Sequence, residues 1–264
     1  MLTFAAGKRN RLKKMRNRIT AWETVKAPLS ARLTVQERSN RTYELSELAT
    51  KVATHIICHT LVDYAGLLDD ERTSIAHAFL QRVTSTHMCN HKLTTEGLTY
   101  QYNQETFVLQ EEYKTMTLTR TVYEHLVMFY FLFEHPKTDE ERETIWKNWK
   151  RTGLIEVTDS SGNLKRLSYS QAWKYLFHNE DLSHLYKHLS MHCHPVYDGL
   201  QQYQIQSPSD EGGDWMPLYL SSCFVACLCR MFLKQIPNGH EILEKDFSRR
   251  EQSVFNALSN VLKS

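Results

Sequence analysis

Turn-forming residues are scarce in this chain. Its 264 residues include 9 Gly and 6 Pro, too few to punctuate a sandwich or barrel, whose turns recur roughly every 8–12 residues. The scarcity predicts long helices. Two apolar runs, Leu126–Phe133 and Leu218–Leu228, are the strongest segments of that kind. Both are shorter than the roughly 20 residues needed to cross a bilayer. They are expected as core helices, and no transmembrane segment is expected. The fold class that follows is all-α: a multi-helix bundle with a small irregular or β-hairpin insertion near residues 152–168. Residues 1–41 are expected as a basic N-terminal arm and extension, and residues 42–264 as a single helical domain.

The net charge of +2 does not by itself mark a nucleic-acid-binding protein. The distribution says more. Lys8, Arg9, Arg11, Lys13, Lys14, Arg16 and Arg18 form a block with no acidic residue among them. Such a block is a solvated arm or an arm that touches RNA or another anionic partner. The six cysteines make no CxxC pair and no zinc-ribbon spacing. Several lie in apolar surroundings, which points to a reducing, cytoplasmic compartment. No long apolar segment follows the basic N-terminus, so a secretory signal is not expected.

Helical periodicity begins near Thr42, with Leu45, Leu48, Val52, Ile56 and His59 at spacings of three and four, and Thr42 or Ser46 as its cap. A second helix is expected from Asp69 to Thr86, and a connection over 87–104. The strongest helix is expected over 105–134, closed by Pro136. A charged helix from Thr138 to Arg151 should pack Trp146 and Trp149 inward. The stretch Asp159–Asn163 reads as a turn between Leu154–Thr158 and Leu164–Leu167. Ser168 or Ser170 should cap the helix of Trp173, Leu176 and Phe177. After a loop at 206–214, a buried helix over 216–235 and a last amphipathic helix through Leu262 complete the chain.

The candidate site lies around Tyr186-Lys-His-Leu-Ser190-Met-His-Cys-His194-Pro195. On a helix at about 100° per residue, Leu182, Leu185, Leu189 and Cys193 share the core arc. Tyr186, Ser190 and His194 line one flank of it, and His184, His188 and His192 the other. The second row, which Glu180 joins, has the spacing of zinc-binding helices, but nothing elsewhere completes a ligand set. It is therefore a solvated face or a metal site. The first row is a core hydrogen-bond network or a pocket with His194 as acid and base. The proline after His194 should end the helix and let the ring aim freely. Upstream, Arg120 and Glu124 stand one turn apart beside the apolar run. A buried carboxylate needs a partner, for which Arg120, Arg230 and His194 are candidates. The site residues are therefore Arg120, Glu124, Tyr186, Ser190 and His194. No cofactor or metal is assigned, since phosphate-binding Gly-rich loops, Gly-x-Ser-x-Gly elbows and EF-hand loops are absent from the sequence.

Arg120-x3-Glu124 on an apolar helix, followed by Tyr186-x-x-Leu189-Ser190-x3-His194-Pro195, resembles the DUF5677 family of mostly bacterial helical proteins over roughly residues 45–235. The resemblance implies an all-helical domain with a polar centre and no settled activity. Three readings remain open. One is a binding or regulatory protein, in a bacterial defence or stress system, whose polar centre is structural or senses a ligand. The second is a HEPN-like, metal-independent ribonuclease, for which Arg72/His77, Arg82/His87 and Arg120/His125 have the Arg-x4-6-His spacing. Arg120 would then stabilise charge, with His194 or His125 as base. The third is a histidine-row metal protein.

Overall fold

The computed structural model describes residues 23–96, 98–102, 105–109, 112–158, 164–177, 186, 189, 190 and 215–262. They form an all-α bundle with small hairpins. Helix α1 spans Val35–Asp63 and α2 spans Glu71–Glu96. Strands β1 (Leu98–Tyr102) and β2 (Glu105–Leu109) follow, then α3 (Glu112–Phe129), a π-helical turn (Tyr130–Glu134) and α4 (Asp139–Thr152). Strands β3 (Glu156–Thr158) and β4 (Leu164–Arg166) lead into α5 (Tyr169–Leu176). The chain ends in α6 (Trp215–Leu233), α7 (Gly239–Asp246) and α8 (Arg249–Leu258).

Helix α6 is the axis of the fold, packed against α1, α2 and α3. Every residue from Pro217 to Cys229 is buried. It is long and apolar enough to cross a membrane, yet 89% of that window is buried inside the fold. A helix apolar on all sides belongs in such a position. The segment before α1 is tied to it as well, since Tyr219 OH donates to the Val25 carbonyl at 2.9 Å.

Local chemistry explains most helix ends. Thr34 caps α1 with a full capping box to Glu37, so this helix begins before the expected cap at Thr42 or Ser46. Both of those residues are instead buried in its interior. Thr138 caps α4, and Gly153 in the left-handed region ends it (φ 68°). Ser168 caps α5 as expected, again with a capping box. The expected hairpin is present as β3 and β4, paired antiparallel from Glu156↔Arg166 to Thr158↔Leu164.

Three expectations need correction. The segment 105–109 is a strand rather than the first turn of a helix. Thr106, Phe107 and Val108 favour extended backbone, and they pair with Thr99, Tyr100 and Gln101. Helix α2 runs on to Glu96, through residues expected to connect. Its polar residues there are held inside: His87 Nε2 lies 3.1 Å from Ser46 Oγ, His87 Nδ1 lies 2.8 Å from Ser221 Oγ, and Asn90 Nδ2 donates to Thr119 Oγ1 at 2.8 Å. Buried polar groups survive when partnered in this way. The last amphipathic segment is two helices, because Ser248 forms a capping box with Glu251 and starts α8 afresh.

Candidate functional site

Helix α3 turns its Val122, Tyr123, Leu126 and Val127 side inward, where all four are fully buried. Arg120 and Glu124 fall at the margin of that face, with side chains 22% and 25% exposed. Glu124 is thus less buried than the apolar run around it implies. Arg120 Nε donates to Glu124 Oε1 at 2.7 Å. Tyr186, 62 residues further along the chain, donates its hydroxyl to the same oxygen at 3.1 Å. The guanidinium also lies over the Tyr186 ring, 5.6 Å from its centroid.

Tyr186, Leu189 and Ser190 lie in helical conformation. Ser190 lies one helical turn beyond Tyr186 and is partly buried. Burial raises the Tyr186 phenol above its ordinary range; the nearby Ser190 hydroxyl and the Arg120 charge oppose this, and Glu124 adds to it. Tyr186 is therefore a neutral donor, not a base, near neutral pH. The result is a hydrogen-bonded cluster of Tyr186, Glu124 and Arg120, with Ser190 one turn along, fixed from two distant stretches of chain.

Aromatic rings make the wall. Tyr123 packs 5.2 Å from Tyr186 and 5.1 Å from Trp173, and donates its hydroxyl to the Tyr169 carbonyl at 2.7 Å. Tyr169 stands 6.2 Å from Tyr186. Burial pushes the Tyr123 phenol far above its ordinary range and raises that of Tyr169. The sequence pattern did not mark Tyr123 or Tyr169 as site residues, since Tyr123 reads as one more apolar position.

Arg120, Glu124, Tyr186 and Ser190 thus come together. His194, the row of His184, His188 and His192, and the basic arm from Lys8 to Arg18 lie outside the described residues. Arg230 is not a partner of Glu124. It is exposed on α6 and reaches Ser259 Oγ at 3.4 Å.

The other arginine–histidine spacings diverge. Arg72 pairs with Glu143 of α4, whereas His77 turns inward beside Phe232, where burial lowers its pKa. Arg82 is exposed and His87 is fully buried. His125 lies 2.7 Å through Nδ1 from the Thr121 carbonyl and packs on Phe79. Comparison of the chain with protein-family models, with curated proteins and with solved structures gives no match.

Proposed function

We propose that this chain is a helical binding protein of regulatory type. It takes a small polar ligand at Arg120, Glu124, Tyr186 and Ser190. The observation that supports this most is the meeting of Tyr186 OH and Glu124 Oε1 at 3.1 Å, with the Glu124 side chain 25% exposed at the margin of the bundle. Paired charges that are neutral together, beside tyrosine rings, suit a ligand with both donor and acceptor groups. With Tyr186 held as a donor and Glu124 already accepting two hydrogen bonds, the described residues favour recognition over proton abstraction. The likeness to the DUF5677 family, a place in a bacterial defence or stress system, a cytoplasmic location and an RNA or other anionic partner for the basic arm belong to the same proposal.

Thermal-shift and tryptophan-fluorescence titrations with L-amino acids and nucleoside monophosphates test it. At least one probe should bind the parent, and Glu124→Gln and Tyr186→Phe should weaken it about 10-fold or more, the usual worth of a hydrogen bond to a charged group. Absence of binding, or binding indifferent to both substitutions, removes the ligand site. Cleavage of a fluorescent RNA that is lost in Arg120→Ala and His194→Ala replaces this reading with the ribonuclease.

A further inference from the structure

The last three helices enclose a cleft of about 560 Å³. Asn238 in the left-handed region and Gly239, tight against the Leu233 carbonyl, turn the chain so that α7 starts beside the end of α6. Gln252 Nε2 donates to the Leu243 and Phe247 carbonyls at 3.0 and 2.6 Å, which ties α8 to the end of α7. Cys227 Sγ donates to the Ser259 carbonyl at 3.0 Å, which ties the end of α8 to α6. The walls are thus set by the fold. The volume falls within the range of small-ligand sites, about 300–1,000 Å³.

The apolar lining is aliphatic. Leu233 and Ile236 are buried and Leu243 is half-buried. Charges of opposite sign stand on different walls, Arg230 on α6 and Glu244 on α7. Both are exposed, and among the described residues neither has an ion-pair partner. The charged neighbours are otherwise engaged: Lys234 pairs with Glu134, and Lys245 with Glu241. Arg230 makes one long contact, Nη1 to Ser259 Oγ at 3.4 Å, and a guanidinium has five N–H donors.

This arrangement selects a ligand by charge. The C-terminal end of α6 is the negative end of its dipole, and Glu244 adds to it, so a plain anion is disfavoured. Arg230 disfavours a plain cation. A zwitterion with an apolar middle suits both. Because Arg230 and Glu244 do not approach as an ion pair, the ligand's two charges must stand apart, as they do in a dipeptide rather than in a single amino acid.

We propose that this cleft binds a short apolar peptide by its two free ends. The terminal carboxylate is held at Arg230 and the terminal ammonium at Glu244, with the side chains on Leu233, Ile236 and Leu243. Capture of free peptide ends is a known mode of recognition. The cleft shares no residue with the cluster around Glu124.

The test titrates the full chain with leucyl-leucine in calorimetry, with its N-acetyl form and its C-terminal amide as probes of each end. One dipeptide per chain should bind the parent. Either capped form should bind about 5-fold or more weakly, as loss of a charged hydrogen bond in a solvated cleft does. Arg230→Gln should erase the preference for the free carboxylate, and Glu244→Gln the preference for the free ammonium. Lys245→Gln, on α7 but outside the cleft, should bind as the parent does. The proposal fails if leucyl-leucine does not bind at millimolar concentration, or if the capped forms bind as well as the free peptide. It fails too if Arg230→Gln and Glu244→Gln both keep the parent's preferences. Binding that is lost in Glu124→Gln but unchanged in Arg230→Gln places the peptide at the other site and overturns this one. Far-UV circular dichroism checks each fold, and the capped peptides decide on the parent alone if a variant does not fold.

Discussion

His87 is fully buried, between Ser46 of α1 and Ser221 of α6, and His91 shares the Ser46 hydroxyl at 2.8 Å. Burial lowers its pKa from 6.5 to about 4; the Ser46 carbonyl opposes the shift and His91 adds to it. The folded protein therefore refuses a proton that the unfolded chain accepts. Stability is intact above about pH 6.5, falls as pH drops toward 4, and the full loss from this residue is about 3 kcal/mol. Urea unfolding at about pH 7.5, 5.5 and 4 should show the decline, and His87→Gln should flatten it. Some slope will remain, because burial lowers the pKa of His77 and His135 too. An unchanged slope in the variant would mean that His87 is not the residue that titrates. In the sequence His87 shares its Arg-x4-His spacing with His77 and His125, and nothing there marks it as a buried histidine. Its burial is a property of three helices meeting. Arg120 and Glu124 were legible because their i, i+4 spacing is local, and Tyr186 and Ser190 because one helix flank carries both. That the two flanks face each other is tertiary information.

Among the elements, the turn from α6 to α7 is the tightest constraint. Asn238 takes the left-handed conformation at φ 54°, which Asn and Gly tolerate best. A Cβ on Gly239 would lie 2.1 Å from the Leu233 carbonyl oxygen, which is backbone and cannot swing away. Gly239→Ala should therefore cost about 2 kcal/mol or more, as overpacking does, whereas Asn238→Gly should stay within about 1 kcal/mol. Denaturant midpoints measure both, and equal midpoints would show that the turn relaxes freely. The Pro237-Asn-Gly239 signal was visible in the chain because turn chemistry is local. So was the β3–β4 hairpin, because the sequence between its strands carries turn-forming Asp, Gly and Asn. The β1–β2 hairpin was not, because its connecting residues carry no Gly or Pro and its strands border a strong helix. The end of α2 was missed for a different reason: its Thr, His and Asn residues are poor helix formers, and tertiary partners hold them helical.

At the scale of the molecule, the core and the candidate site are one packed body joined through Tyr123. Phe224 of α6 is fully buried and lies 5.4 Å from Tyr123, 6.3 Å from Trp173 and 6.2 Å from Phe177. Tyr123 in turn packs on Tyr186. Phe224→Ala removes a ring from this centre and should cost about 3–5 kcal/mol, a large part of the roughly 5–15 kcal/mol that holds a domain folded. The cavity also frees Tyr123 to shift, so the change should reach Tyr186 and weaken its bond to Glu124. A cycle of Phe224→Ala with Tyr186→Phe should then be non-additive by about 0.5 kcal/mol or more in urea unfolding, as coupled neighbours are. Val62→Ser, at a position 77% exposed on α1, is the control and should change stability by about 0.5 kcal/mol or less. Strict additivity between Phe224 and Tyr186 would separate the site from the core. The cluster of Tyr186, Glu124 and Arg120 would then owe its geometry to the segment around Tyr186 rather than to the bundle that α6 organises.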